Sequence, residues 1–409
     1  MKNLIGKILN NLLARIVLAM LLGIGAAYVL PVWAGRVFMT FNGLFSQLLG
    51  FMVPLIIVGF VAPAIADVGR TAGRMLLATV VLAYAATLIA GFSSYFISDW
   101  LFPSMIKAGA TDMAGAGGVT AGPADGLTPF FTLTIPALLS VTSALVTAFI
   151  LGLGVAALPS PNRMKPLLDE FRLIVSMVIE KVIIPLLPLY IFGIFLDMTH
   201  AGQVATILST FAKIIVVIFA MHIGILLFQF AVAAPFSTTT HNPFRLLWTM
   251  MPAYFTALGT QSSAATIPVT LKQTVKMGVD SNVAGFTVPL CATIHMSGST
   301  LKIVACAVAL MITNGMPYDA GMFAGFICML GVTIIAAPGI PGGSIMASLG
   351  LLSSMLGFTE ADCGLMIALY IAMDSFGTAC NVTGDGALAI IINRIFRNSA
   401  KAKSVAEQG

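Results

Sequence analysis

The sequence predicts an all-α integral membrane protein of eight spanning helices and two re-entrant helical hairpins, and three observations carry that expectation. Apolar residues make up 59% of the 409 and charged residues only 9%, where a soluble domain carries about 25% charged. Apolar runs such as Ile16–Val32, Leu76–Ile97, Thr206–Phe230 and Val283–Ile312 reach the roughly 20 residues that cross a bilayer core. Two further apolar segments, Leu246–Leu271 and Ala320–Gly357, are interrupted by Gly, Pro and Ser, so neither half is long enough to cross.

The first run follows Lys2, Lys7 and Arg15. That start resembles a signal peptide, but no small-residue cleavage site follows and the run is long enough to span, so it is read as span one. Lys and Arg mark the cytoplasmic side of short loops. They cluster at Lys2/Lys7/Arg15, Arg70/Arg74, Arg163/Lys165/Arg172, Arg245, Lys272/Lys276 and Arg394/Arg397/Lys401/Lys403, which is 15 of the 20. The connections around 99–127, 197–203, 314–319 and 358–362 carry Asp99, Asp112, Asp125, Asp197, Asp319, Glu360 and Asp362 with only Lys107 as a base. They read as outside, which leaves both termini cytoplasmic, in the cell's inner membrane. The net charge of +5 is scattered singly rather than in one stripe, so no nucleic acid is expected. Five cysteines in apolar surroundings, without CxxC spacing, read as reduced core residues.

The first interrupted segment has basic flanks and the polar middle Gly259-Thr-Gln-Ser-Ser-Ala-Ala-Thr-Ile-Pro268, so it enters from the cytoplasm and returns. The second breaks at Ala336-Ala-Pro-Gly-Ile-Pro-Gly-Gly-Ser344 between acidic flanks, so it enters from outside. Each lies beside a long span, 281–313 and 361–393. Two hairpin-plus-helix units of opposite orientation form an inverted repeat, and paired broken segments of this kind point to a binding site at the bilayer midplane.

Span eight holds Asp374, Thr378, Asn381 and Asp385. At roughly 100° per residue they fall near 0°, 40°, 340° and 20°, one polar stripe. Intramembrane acids mark substrate or ion pathways, and acids with no intrahelical partner call for a cation from elsewhere. A transported ammonium or metal ion would serve, and so would a structural pairing with neighbouring spans. Asn381 and Asp385 offer hard oxygen ligands that suit sodium. Span seven is interrupted by Thr293-Ile-His-Met-Ser-Gly-Ser299, where Gly298 lets the helix unwind and free carbonyls. An enzyme is disfavoured, because no nucleophile elbow or metal-ligand motif occurs.

These motifs, in this order, together with Met52-Val-Pro-Leu55, resemble the dicarboxylate/amino-acid:cation symporters, the family of archaeal aspartate transporters and excitatory amino-acid transporters. The resemblance covers nearly the whole chain. It implies a homotrimer with a scaffold domain (1–70 and 128–203; spans one, two, four and five) and a mobile transport domain (71–100 and 204–398; spans three, six, seven and eight with hairpins 242–276 and 320–357). Residues 101–127 would be an extracellular loop and 399–409 a cytoplasmic tail. The transport domain would move like an elevator, with the outer hairpin as its gate. The implied substrate contacts are Gln261, Ser262 and Ser263 at the first tip, Gly339, Ile340, Pro341, Gly342 and Ser344 at the second, and Ser299 in span seven. In span eight they are Asp374, which would hold the substrate's ammonium, with Gly377, Thr378 and Asn381. Sodium, as co-transported ion, would be held by Asn381 and Asp385 with Cys291 and His295. A second sodium would sit at Thr293, Met296 and the carbonyls of Ile334, Ile335 and Ala337. No other cofactor is implied.

Three departures from the family pattern bear on substrate and ion. The arginine that acidic-substrate members place three residues after the ammonium-binding Asp is here Gly377, so a bidentate partner for a side-chain carboxylate is missing. The unwound Asn-Met-Asp-Gly is here His295-Met296-Ser297-Gly298, which removes a sodium-binding carboxylate. The span-three positions of that site, Thr79, Leu82 and Ala83, are mostly apolar. A small neutral amino acid such as serine, threonine or alanine is therefore expected, with fewer sodium ions than the aspartate transporters use. Two readings of Lys302 stay open: it replaces the missing arginine for an acidic amino acid or dicarboxylate, or it snorkels or pairs with a neighbouring acid. His295 is either a proton-coupling group or a satisfied core histidine.

Overall fold

The computed structural model describes residues 12–70, 74–110, 127–159, 162–202, 204–335 and 342–406, and the regular elements among them are all helices. In chain order they are α1 (Leu12–Ala27), α2 (Val32–Arg70), α3 (Arg74–Ala110), α4 (Val141–Ala157), α5 (Met164–His200, with one π turn at Ile179–Ile183), α6 (Val204–Ala233), α7 (Pro243–Thr260) and α8 (Ser263–Lys276). Then follow α9 (Ser281–Ile294), α10 (Ser297–Thr313), α11 (Ala320–Ile335), α12 (Gly343–Leu356), α13 (Glu360–Ala372) and α14 (Asp374–Ala406).

Among the described residues six stretches are long and apolar enough to cross a membrane: one each in α2, α3, α5, α6 and α14, and the interrupted pair α9–α10. The expected first and fourth spans fall on α1 and α4, of 16 and 17 described residues, shorter than those six stretches. Span three runs on as helix to Ala110, so the first part of the expected outer loop at 101–127 is helical instead. The C-terminal helix likewise continues to Ala406, through most of the expected tail.

Helices α1, α2, α4 and α5 pack chiefly on one another, and α3 packs on α6, α9, α10, α11 and α14. The second hairpin and α13 meet the first group, through α2 and through α1 and α5. Inside the larger group the interrupted elements lie deepest. Of the most apolar window, 89% is buried in α9–α10 and in α14, against 39% in α3 and 44% in α6. Polar chemistry carried on α9–α10 and α14 is therefore shielded from lipid by the chain itself.

Each interruption has a local cause. Asn242 caps α7 by accepting from the N–H groups of Phe244 and Arg245, with Pro243 at the first helical position. The hairpin then reverses in two residues. Gln261 takes a left-handed φ of 55°, and Ser262 caps α8 by accepting from Ala265 N–H at 3.2 Å. Span seven leaves the helix at His295 and Met296 and resumes at Ser297. Gly298 is required there, because a Cβ would lie 2.6 Å from the Gly377 carbonyl oxygen and 2.7 Å from Cys380 Cβ. Span eight also breaks, which its sequence did not announce. The chain leaves α13 at Ala372, and Met373 separates it from α14. The break falls one residue before the polar stripe, so Asp374 opens α14 and all four stripe residues share one helix. An acid in a first turn is favoured by the helix dipole.

Candidate functional site

The two acids of α14 do not wait for a cation from outside: neighbouring spans supply a basic partner to each. Lys302, on α10, donates from Nζ to Asp374 Oδ1 at 2.9 Å, and its side chain is wholly buried. The ammonium also lies 3.4 Å from the centre of the Tyr370 ring and 3.5 Å from the Tyr370 carbonyl oxygen. It fills the space beside Gly377, where a Cβ would stand 2.7 Å from Nζ. The lysine thus takes the room that the absent arginine would need. It pairs with an acid rather than snorkelling.

Both hairpins reach this point. Gly342, with a left-handed φ of 77°, donates its N–H to Asp374 Oδ2 at 2.9 Å, and Gln261 at the first tip donates from Nε2 to Ser375 Oγ at 2.8 Å. Asp374 therefore sits where two hairpins, the start of α14 and a lysine meet.

Deeper along α14, Asp385 Oδ1 lies 2.9 Å from His295 Nδ1. His295 Nε2 contacts Ser297 Oγ at 2.6 Å and Gln229 Nε2 at 3.3 Å, and Gln229 Nε2 donates to Ser297 Oγ at 3.0 Å. A neutral imidazole with its hydrogen on Nδ1 satisfies the three shorter contacts: Gln229 donates to Ser297, Ser297 to Nε2, and Nδ1 to the carboxylate. Asn381, between the two acids, ties α14 to the unwound turn. Its Oδ1 accepts from the N–H groups of Gly298 (2.8 Å) and Ser299 (3.4 Å), and its Nδ2 donates to Ser299 Oγ (3.1 Å) and lies 3.5 Å from Met296 Sδ.

The remaining expected residues fall as follows. Thr378 and Ser344 are buried, and Ser262 and Ser263 are half-buried at the first tip. Cys291 is buried, and its carbonyl accepts from His295 N–H at 2.8 Å. Ile334 is buried and Ile335 half-buried. Thr293 is not drawn into the cluster: it is exposed, and its hydroxyl donates to the Leu290 carbonyl at 2.7 Å. Ala337, Gly339, Ile340 and Pro341 lie outside the described residues. Thr79 and Ala83 are buried.

Four contributors escaped the sequence reading. His222 Nε2 donates to the Gly298 carbonyl at 3.0 Å, Gln229 holds Ser297, Tyr370 donates to Ser299 Oγ at 3.1 Å, and Thr87 accepts from Met296 N–H at 3.3 Å. A signal existed for two of them. His222 and Gln229 are two turns apart on one face of an otherwise apolar span, where polar side chains point inward.

Buried charge gathered between two helical hairpins, inside a fold whose outer helices are apolar enough to cross a bilayer, defines a multi-pass membrane transport protein rather than an enzyme. The chain belongs to the sodium:dicarboxylate symporter family, whose sequence profile matches residues 12–395. Over 389 residues it is 28% identical to the serine/threonine transporter SstT of Acinetobacter baumannii strain AYE, covering 92% of this chain and 94% of that one. It is also 28% identical to human excitatory amino acid transporter 2 over 257 residues, 61% of this chain and 44% of that protein. Family membership makes the substrate a small solute and sodium the suggested co-transported ion.

Proposed function

We propose that the chain is a secondary active symporter that takes up a small neutral amino acid of the serine, threonine and alanine class, coupled to sodium. The observation that carries this reading is Asp374. It is a buried carboxylate placed where both hairpins converge, with Gly377 rather than a guanidinium beside it. An α-ammonium suits the acid, and backbone near the tips suits the α-carboxylate. The similarity to a serine/threonine transporter agrees with that class. His295 in place of a cation on Asp385 supports fewer sodium ions per cycle, with a proton as the alternative coupling ion.

The packing of α1, α2, α4 and α5 on one another supports the scaffold, and that of α3 on α6, α9, α10, α11 and α14 supports an elevator-type transport domain. Eight crossings, cytoplasmic termini in the inner membrane and a homotrimer complete the proposal. A second reading is favoured by one contact: Lys302 stands against Gly377, where it would meet the side-chain carboxylate of an acidic amino acid or a dicarboxylate.

Uptake by the purified chain in proteoliposomes separates the two. Under a sodium gradient, L-serine, L-threonine or L-alanine should outcompete L-aspartate and succinate. If aspartate wins and Lys302→Met removes its advantage, the second reading holds. A sodium Hill coefficient near three, unchanged in His295→Ala, would show that no cation position has been lost.

A further inference from the structure

We infer that Lys302 is a tethered stand-in for the cargo's ammonium: it neutralises Asp374 and lets the second hairpin close while the carrier is empty, and an arriving amino acid displaces it. The identity of the displacing group rests on the amino-acid reading.

The Asp374 carboxylate is held from both sides, by Lys302 Nζ on Oδ1 and by Gly342 N–H on Oδ2. Gly342 is the residue from which α12 starts, so the bond that fixes this hairpin's inner helix is made to the acid that would bind cargo. A bare carboxylate at this depth would be uncompensated and would draw in water, which opposes closure and movement through the bilayer. With the lysine in place the acid is compensated without cargo.

The ammonium also has somewhere to retreat. The Tyr370 ring face and carbonyl lie at 3.4 and 3.5 Å, so leaving Asp374 does not leave the charge without partners. The Tyr370 hydroxyl is anchored on Ser299, which holds the ring as a fixed platform. Gly377 keeps the path of the lysine head clear of side chain. The consequence is directional: an empty carrier that closes on its own lysine returns unloaded and sustains net uptake, whereas one without it closes only around cargo and exchanges.

The test uses the full chain and Lys302→Met, which keeps the stem and removes the charge. Labelled L-serine is followed into serine-free vesicles and into vesicles preloaded with unlabelled L-serine. Net uptake by the variant should fall by at least about tenfold, a step worth roughly 1.4 kcal/mol, while exchange survives. An equal fall in both modes, or no fall in either, overturns the proposal. A second readout does not depend on serine being the substrate. Amide hydrogen exchange across 342–356 in the substrate-free protein should speed up in Lys302→Ala and slow again on adding methylammonium chloride. Unchanged exchange, or no recovery with the amine, overturns the stand-in role. Failure of the wild type to carry any amino acid, with the amide result intact, sinks the amino-acid reading alone.

Discussion

Asp374 and Asp385 lie about three turns apart on α14, each with a basic side chain from span seven at 2.9 Å, yet the two pairs are built differently. At Asp374 the base stands at the end of a flexible four-carbon stem, has a second resting place on Tyr370, and shares the acid with a hairpin backbone N–H. At Asp385 the base is a ring held at both nitrogens, with Ser297 and Gln229 closing the far side. The first pair can change partners without strain in the backbone. The second is wired into the helix break that supports it. One acid is therefore suited to taking and releasing cargo. The other is held by an imidazole built into the fold.

The largest effect should come from removing the exchangeable acid. Asp374→Asn leaves Lys302 buried with no counter-ion and gives an incoming ammonium nothing to pair with. Breaking one side of a buried pair costs roughly 3–5 kcal/mol, so affinity should fall by at least about a hundredfold at tenfold per roughly 1.4 kcal/mol. Calorimetry on the purified variant with L-serine checks this. A near-normal dissociation constant would mean that the acid does not face the cargo.

The fixed pair should respond in another currency. His295→Ala deletes the ring beside Asp385 and leaves a carboxylate with space for an ion. Thermal stability should drop, and sodium should restore it where choline does not. Ligand at 100 times its dissociation constant contributes about 2.7 kcal/mol. If sodium protects the wild type and the variant equally, the imidazole is not standing in the ion's place.

Why one pair was half legible in the sequence and the other was not follows from what sets each contact. The shared face of the α14 stripe needs only helical periodicity, and the helix pairs α7–α8 and α11–α12 need only interrupted apolar runs, so both follow from local pattern. The Lys302–Asp374 pair depends on the register of α10 against the start of α14, and no local period encodes that. The break at Met373 has no Gly or Pro within the turn before it, so nothing in the spacing marks it. Gln229 and His222 were visible as polar residues on one face of an apolar span, but their partners lie across a helix interface.

A gentler probe acts on the lysine's path. Gly377→Ala places a methyl 2.7 Å from Nζ and 2.9 Å from Cε of Lys302. The clash is with the far end of a flexible side chain, so the lysine shifts rather than the backbone. The pair should weaken by about 1–2 kcal/mol, within the usual range for overpacking a core. Because the lysine then competes less well for the acid, L-serine should bind several-fold more tightly in calorimetry while net uptake slows. Weaker serine binding with unchanged net uptake would separate Gly377 from the lysine.

The smallest effect is expected at the edge of the fixed pair. Gln229→Met keeps a similar volume and removes the donor to Ser297, which then has only His295 to bond. A net hydrogen bond contributes about 0.5–1.5 kcal/mol. Gln229 Oε1 is a buried oxygen with no hydrogen-bond partner among the described residues, and replacing it with an apolar group recovers part of that loss. The melting temperature should therefore fall by only about 2 °C or less, and sodium should not protect this variant more than wild type, because His295 still occupies Asp385. A drop as large as that of His295→Ala, or new sodium protection, would show that the ring depends on Gln229 for its position and that the fixed pair is held from its far side rather than by the carboxylate.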